Sequence, residues 1–174
     1  MRLSKSELLQ GGKFKDFLAT LVPIVCNSLN AYQTSFWLYR TEKDEFESIQ
    51  CYDTETNNAS VGSAPDPSSF EAFFEMLKSD LFTHIDSSDE SDDLEEFTVD
   101  HMLKNRLRSW AGIQVWNDNR LFGILTVEWK VNKDFSIQDR LVMVTAASMI
   151  SQCYDALLRL KEDFLHRNEV NSLR

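Results

Sequence analysis

The sequence predicts an α+β fold, an antiparallel sheet with the terminal helices on one face and an irregular middle segment on the other. Three observations lead there. Two pairs of short strand-like runs, rich in β-branched and aromatic residues, lie far apart at residues 34–53 and 109–130. Helical periodicity brackets them at both ends of the chain, and the stretch between them, about residues 53–108, is polar and less regular. Antiparallel pairing with both outer helices on one side buries the greatest apolar area for that order.

The elements follow in order. Residues 1–12 read as a polar leader, 13–160 as the folded domain and 161–174 as an extension of its last helix. In "KFKDFLATLVPIVCNSLNA", Phe14, Phe17, Leu18, Leu21, Val25 and Leu29 form one helical stripe, and Pro23 is expected to kink or divide it. "TSFWLYR" and "EFESIQCYD" flank the charged turn "TEKD" and read as a hairpin. Asp66-Pro67-Ser68-Ser69 resembles a helix start, after which Phe70, Phe73, Phe74 and Leu77 share a face. "LFTHID" reads as a short strand. Seven of the eleven residues from Asp86 to Glu96 are acidic, and they are expected to open a helix running through "LEEFTVDHMLKNRLR". "SWAGIQVW" and "RLFGILTVEWK" form a second hairpin about Asn117-Asp118-Asn119.

The last helix starts after Phe135 in "NKDFSIQDR", where Ser136 and Asp139 have the spacing of a capping pair. Met143, Ala146, Ile150, Cys153, Leu157, Leu160 and Phe164 then recur at alternating spacings of three and four, a heptad seam that asks for a partner helix.

Composition excludes several function classes. A net charge of -10 over 174 residues does not supply the basic surface that nucleic acid or anionic membrane demands. The N-terminus lacks a signal-peptide core, and "LVMVTAASMI" is too short to span a bilayer, so a cytoplasmic chain with no membrane insertion in this segment is expected. Its three cysteines, Cys26, Cys51 and Cys153, are scattered and read as reduced thiols. His84, His101 and His166 fall in different elements with no nucleophile motif beside them, so no catalytic constellation is expected. "DSSDESDDLEE" lacks calcium-loop spacing and reads as a solvated helix start.

Strand alternation groups Ser35, Trp37 and Tyr39 against Phe36 and Leu38, and likewise Trp110, Gly112, Gln114 and Trp116, and Phe122, Ile124, Thr126 and Glu128. Polar Gln114, Thr126 and Glu128 within apolar strands fit either a concave, aromatic-lined ligand site or a sheet face that the middle segment fills. Phe70, Phe73, Phe74 and Phe82 fit either a core or a ligand platform.

"SFWLY", "WNDNRLFGILTVEW" with Gly123 after its turn, and "DFSIQDRLVMVTAASMISQ" together resemble a GAF domain, over about Phe14 to Leu160. "DPSSFEAFFEMLKSDLFTHID" before an acidic stretch, with "DHMLKNRLRSWAGIQVW", looks like the GAF subset attached to bacterial diguanylate cyclases and histidine kinases. The resemblance implies about six strands, terminal helices that form a parallel dimeric bundle, and a ligand pocket on the opposite face. On that basis Trp37, Tyr39, Phe70, Phe74, His84, Trp110, Gln114, Thr126 and Glu128 are the candidate ligand-binding residues, and Ile150, Leu157, Leu160 and Phe164 the dimer residues. Asn132, Lys133, Phe135 and Asp139 resemble the signature of cyclic-nucleotide-binding GAF domains, with Arg140 replacing its final acid; in that family the Lys and Asp brace the domain by an ion pair.

The implied function is a non-enzymatic, small-molecule-sensing and dimerising regulatory domain of a bacterial signalling protein, with an output domain on the same or a partner chain. No ligand or cofactor is identified by the sequence. The alternatives are a ligand-free interaction module of the same fold and, remotely, a GAF-type free methionine sulfoxide reductase. The latter is disfavoured because Cys26 and Cys153 fall on the terminal helices, and covalent bilin attachment is disfavoured for want of a pocket cysteine.

Overall fold

Two tight turns decide how the strands pair. Asn117 pairs with Arg120 across Asp118 and Asn119, whose φ values of 50° and 56° make the mirror-image two-residue turn that matches strand twist. Residues 41–44 close the other hairpin, with Asp44 left-handed at φ 50°. In the computed structural model, residues 12–60, 70–89 and 91–172 are described. They form α1 (Gly12–Ser28), β1 (Gln33–Arg40), β2 (Glu45–Asp53), β3 (Asn58–Ser60), α2 (Glu71–Ser79) and β4 (Phe82–Asp86). A 3-10 turn (Asp92–Leu94), the single turn α3 (Glu95–Phe97) and a π-helix (Thr98–Leu103) make up a cover segment. β5 (Ser109–Asn117), β6 (Arg120–Trp129) and α4 (Ile137–Ser172) complete the chain.

The strands join in one six-stranded antiparallel sheet of order β3-β2-β1-β6-β5-β4, the α+β arrangement that the sequence predicts. α1 and α4 cover one face, where Phe14, Leu18, Phe36, Leu125, Val127 and Ile150 form the larger core. α2 and the cover segment lie on the other, over Phe46, Phe73, Phe97, Trp110 and Ile124. Gly123 is required where β1 and β6 meet, since a Cβ there would come within 2.3 Å of the Trp37 carbonyl.

Several expectations are corrected. α1 runs unbroken through Pro23, because Leu18, Leu21, Val22 and Val25 on either side are seated in the core. The acidic run does not open a regular α-helix from Asp86: Asp86 ends β4, and the cover segment starts at Asp92 and passes through three helical forms. It stops at Leu103, where Arg106 turns left-handed (φ 58°) and the Leu107 N–H reaches the Met102 carbonyl at 2.8 Å. Phe122 does not join Ile124, Thr126 and Glu128. The register slips between Val115 and Trp116, pairing Val115 with Gly123 and Trp116 with Leu121, so Phe122 is the extra residue and turns to the helix face, 4.5 Å from the Tyr154 ring. The helix start expected at Asp66–Ser69 lies outside the described residues; α2 begins after Phe70 with no side-chain cap.

α4 has 36 residues, about 54 Å of helix. Ser136 and Asp139 cap it reciprocally, the Asp139 N–H donating to Ser136 Oγ at 3.1 Å and the Ser136 N–H to Asp139 Oδ2 at 2.9 Å. Lys133 Nζ braces Asp139 Oδ1 at 3.2 Å. By length and composition α4 passes for a membrane span, but Met143, Ile150 and Tyr154 seat it on the sheet. Ile150, expected at a dimer seam, is 0% exposed in this chain's own core, and Leu157 packs against the same core. The heptad pattern is used first against the sheet, and only Leu160 and Phe164, at 60% and 64% exposure, remain open.

Candidate ligand pocket

Between the sheet and its cover lies a cavity of about 30 Å³, lined by the strand residues Trp37, Trp110, Ile124, Thr126 and Glu128 and, from α2 and the cover segment, by Phe73, Phe97 and His101. Strand alternation aims Trp37 and Thr126 here, because Phe36 and Leu125 occupy the other face. Trp37 Nε1 donates to Thr126 Oγ1 at 3.0 Å, so each satisfies the other inside an apolar wall.

The aromatic groups interlock. Phe73 and Phe97 stack with centroids 3.7 Å apart, Trp110 meets Phe73 edge-on at 5.1 Å, and Phe46 stacks on Phe74 at 5.6 Å. Free volume of this size holds about two waters, whereas drug-sized ligands occupy some hundreds of Å³.

One ionisable contact interrupts the hydrocarbon. Glu128, 8% exposed, receives the His101 Nε2–H on Oε1 at 2.8 Å, and His101 stacks on Phe97, centroids 5.1 Å apart. His101 sits on the π-helix, four residues after Phe97 at the end of α3, and both side chains line the cavity over the sheet.

The candidate residues divide accordingly. Trp37, Phe74, Trp110, Thr126 and Glu128 are brought together at the cavity. Tyr39 and Phe70 stand at its margins: Phe70 packs edge-on against Phe97, and the Tyr39 hydroxyl donates to Asp44 at 2.5 Å. Burial, then that hydrogen bond, raises the Tyr39 pKa; beside it Lys78 is held charged by Glu75 and Asp44.

Gln114 does not line the cavity: its amide donates to the Leu77 and Lys78 carbonyls at 2.7 and 2.9 Å and so ties down the end of α2. His84 lies on the opposite face. In β4, Ile85 enters the pocket-side core, which turns Phe82, His84 and Asp86 away, and the His84 ring packs 5.3 Å from Phe135. His101, Phe97 and Phe46 were not among the candidates, and Phe73 was read only as core or ligand platform; the spacing of Phe97 and His101 along one helical face was the available signal.

All three thiols are raised in pKa chiefly by burial, Cys26 in the helix-side core and Cys51 in β2 beside Ser35. A wider groove of about 640 Å³ runs along α4 and both hairpin ends, where Arg120 and Arg159 mix with Glu42, Asp118 and Asp155 and select no ligand charge.

No protein-family model matches the chain, and no curated protein matches it. Its likeness is to solved structures. The phycoerythrobilin-bound GAF domain of a cyanobacterial phytochrome aligns with a TM-score of 0.68 at 13% identity, covering 92% of this chain and 98% of that one. The GAF domain of an Acinetobacter phosphoenolpyruvate-protein phosphotransferase aligns at 0.64 and 13% identity, covering 93% and 99%. A GAF domain/HD domain protein of Geobacter sulfurreducens aligns at 0.62 and 11% identity, covering 90% and 99%. These are sheets of one architecture carrying different sequences, and this chain has the GAF fold.

Proposed function

We propose that this chain is a non-catalytic regulatory domain of a signalling protein, one that takes up a ligand of a few heavy atoms in the Glu128–His101 cavity and passes its occupancy to α4. The observation that carries this reading is the placement of a nearly buried carboxylate and a partly exposed imidazole, 2.8 Å apart, in a largely aromatic cavity. Burying a carboxylate costs free energy that a core serving only stability avoids with apolar residues.

Transmission follows from the sheet. Thr126 and Glu128 border the cavity, while Leu125 and Val127, between and beside them on β6, pack toward α1 and α4. A ligand that shifts β6 or the cover segment therefore changes the seat of α4. Past the β5–β6 turn, α4 exposes Leu160 and Phe164, which supports pairing with a second copy and relay to an output domain. Such relatives as the GAF domain/HD domain protein support the multidomain setting. A bilin or nucleotide needs far more space than about 30 Å³. Thiol redox catalysis is opposed by burial, which keeps the thiols protonated.

The stacked Phe73–Phe97 pair favours one other reading, a filled module that only dimerises. A thermal-shift screen of small amines, alcohols and carboxylates, followed by Trp fluorescence, separates them. The sensor reading expects a saturable response abolished by enlarging Thr126 to Trp; a flat screen supports the filled module.

A further inference from the structure

Resting on the reading that the cavity holds a ligand, we infer that its ligand is a small organic cation, an alkylammonium held at Glu128 between the rings of Trp37 and Trp110. Three observations converge. The carboxylate has no Lys or Arg partner among the described residues; its one ion-pair contact is the partly exposed imidazole of His101. The walls are aromatic rings, whose faces attract cations, most strongly when water is excluded. The cover segment that carries Phe97 and His101 also carries Asp92, Asp93, Glu95, Glu96 and Asp100, against Lys104, Arg106 and Arg108 just past its end, so the cover is net acidic.

The same features reject the other classes. An anion meets Glu128 and the acidic cover. A hard metal ion needs about six oxygen ligands, which a cavity of aromatic carbon with one carboxylate lacks. The space admits roughly two heavy atoms, the size of methylammonium.

The test titrates the whole chain with methylammonium chloride against potassium chloride at equal ionic strength, and in parallel with methanol and with formate, reading melting temperature and tryptophan fluorescence. Methylammonium is expected to raise the melting temperature saturably and to perturb the fluorescence. Glu128→Gln, which keeps the shape and removes the charge, is expected to weaken binding by about tenfold or more. Should that variant fail to fold, carbon-13-labelled methylammonium in the wild-type protein is expected to give cross-relaxation to the Trp37 and Trp110 ring protons. Equal binding by Glu128→Gln, or binding without contact to those rings, overturns the inference. A saturable response to methanol or formate in place of methylammonium overturns it while leaving the ligand-pocket reading in place. Silence to all three probes overturns both.

Discussion

Glu128 on β6 and His101 on the π-helix meet across the gap between sheet and cover, and among the described residues theirs is the one ionisable contact in a wall of rings. It ties the least regular segment of the chain to the centre of the sheet. Removing the imidazole strands a nearly buried carboxylate, so His101→Leu is expected to cost about 2–3 kcal/mol. A double Glu128→Leu/His101→Leu variant removes both polar partners and is expected to regain most of that loss. Urea unfolding of the wild type, the single variants and the double variant forms the cycle. Additive losses in the double variant would show that the pair does not act as a unit.

The stack of Phe97 on Phe73 keeps the cavity small. Phe97→Ala is expected to destabilise the chain by about 3–4 kcal/mol and to enlarge the cavity into one that takes up xenon or benzene. Gly112→Ala acts the other way: its new Cβ would lie 2.5 Å from the Trp110 ring and push that ring toward the cavity. Crystal structures of the two variants under xenon pressure should differ in xenon occupancy, and equal occupancy would contradict this account.

The cap of α4 sets a pH dependence. Burial pushes the Asp139 carboxyl up, but hydrogen bonds from the Ser136 N–H and hydroxyl and from Lys133 outweigh it and leave its pKa below the ordinary aspartate value. A group whose pKa is depressed by folding contributes stability above its unfolded pKa, and that contribution is lost as pH falls through the folded value. Asp139→Asn is therefore expected to cost about 1 kcal/mol at neutral pH. The gap between variant and wild type should close as the solution is acidified below the ordinary aspartate range. A constant gap across an acid titration of the melting temperature would argue against this assignment.

The fold was legible because its signals are local and redundant. Alternation in "TSFWLYR", turn chemistry at Asp118-Asn119 and the Ser136–Asp139 spacing each point to one structure, and all three agree with the sheet. The site was legible only in part, because pocket membership depends on details that alternation does not carry. One extra residue at Phe122 reverses a face, and Gln114 is consumed by the carbonyls of α2. His84 and His101 look alike in sequence; the contact to Glu128, twenty-seven positions away along the chain, separates them. The heptad pattern misled for a related reason, since a helix seated on a sheet and a helix in a coiled coil both repeat their apolar residues at spacings of three and four.

That ambiguity gives the last prediction. Ile150 is 0% exposed beneath α4, so Ile150→Glu places a charge in the core and is expected to unfold the domain whatever its oligomeric state. Leu160 and Phe164 lie beyond the hairpin ends at 60% and 64% exposure and contribute little to the core. Leu160→Glu/Phe164→Glu is therefore expected to keep the far-ultraviolet circular dichroism and melting temperature nearly unchanged while converting dimers to monomers in light scattering. The exposed row Ile137, Leu141 and Val144, which lies nearer the start of α4, is a second apolar surface on the same helix. If the double variant stays dimeric and Leu141→Glu/Val144→Glu is monomeric, pairing runs along that row and the C-terminal turns of α4 are free to lead into an output domain. If both double variants remain dimeric, α4 is not the contact between copies.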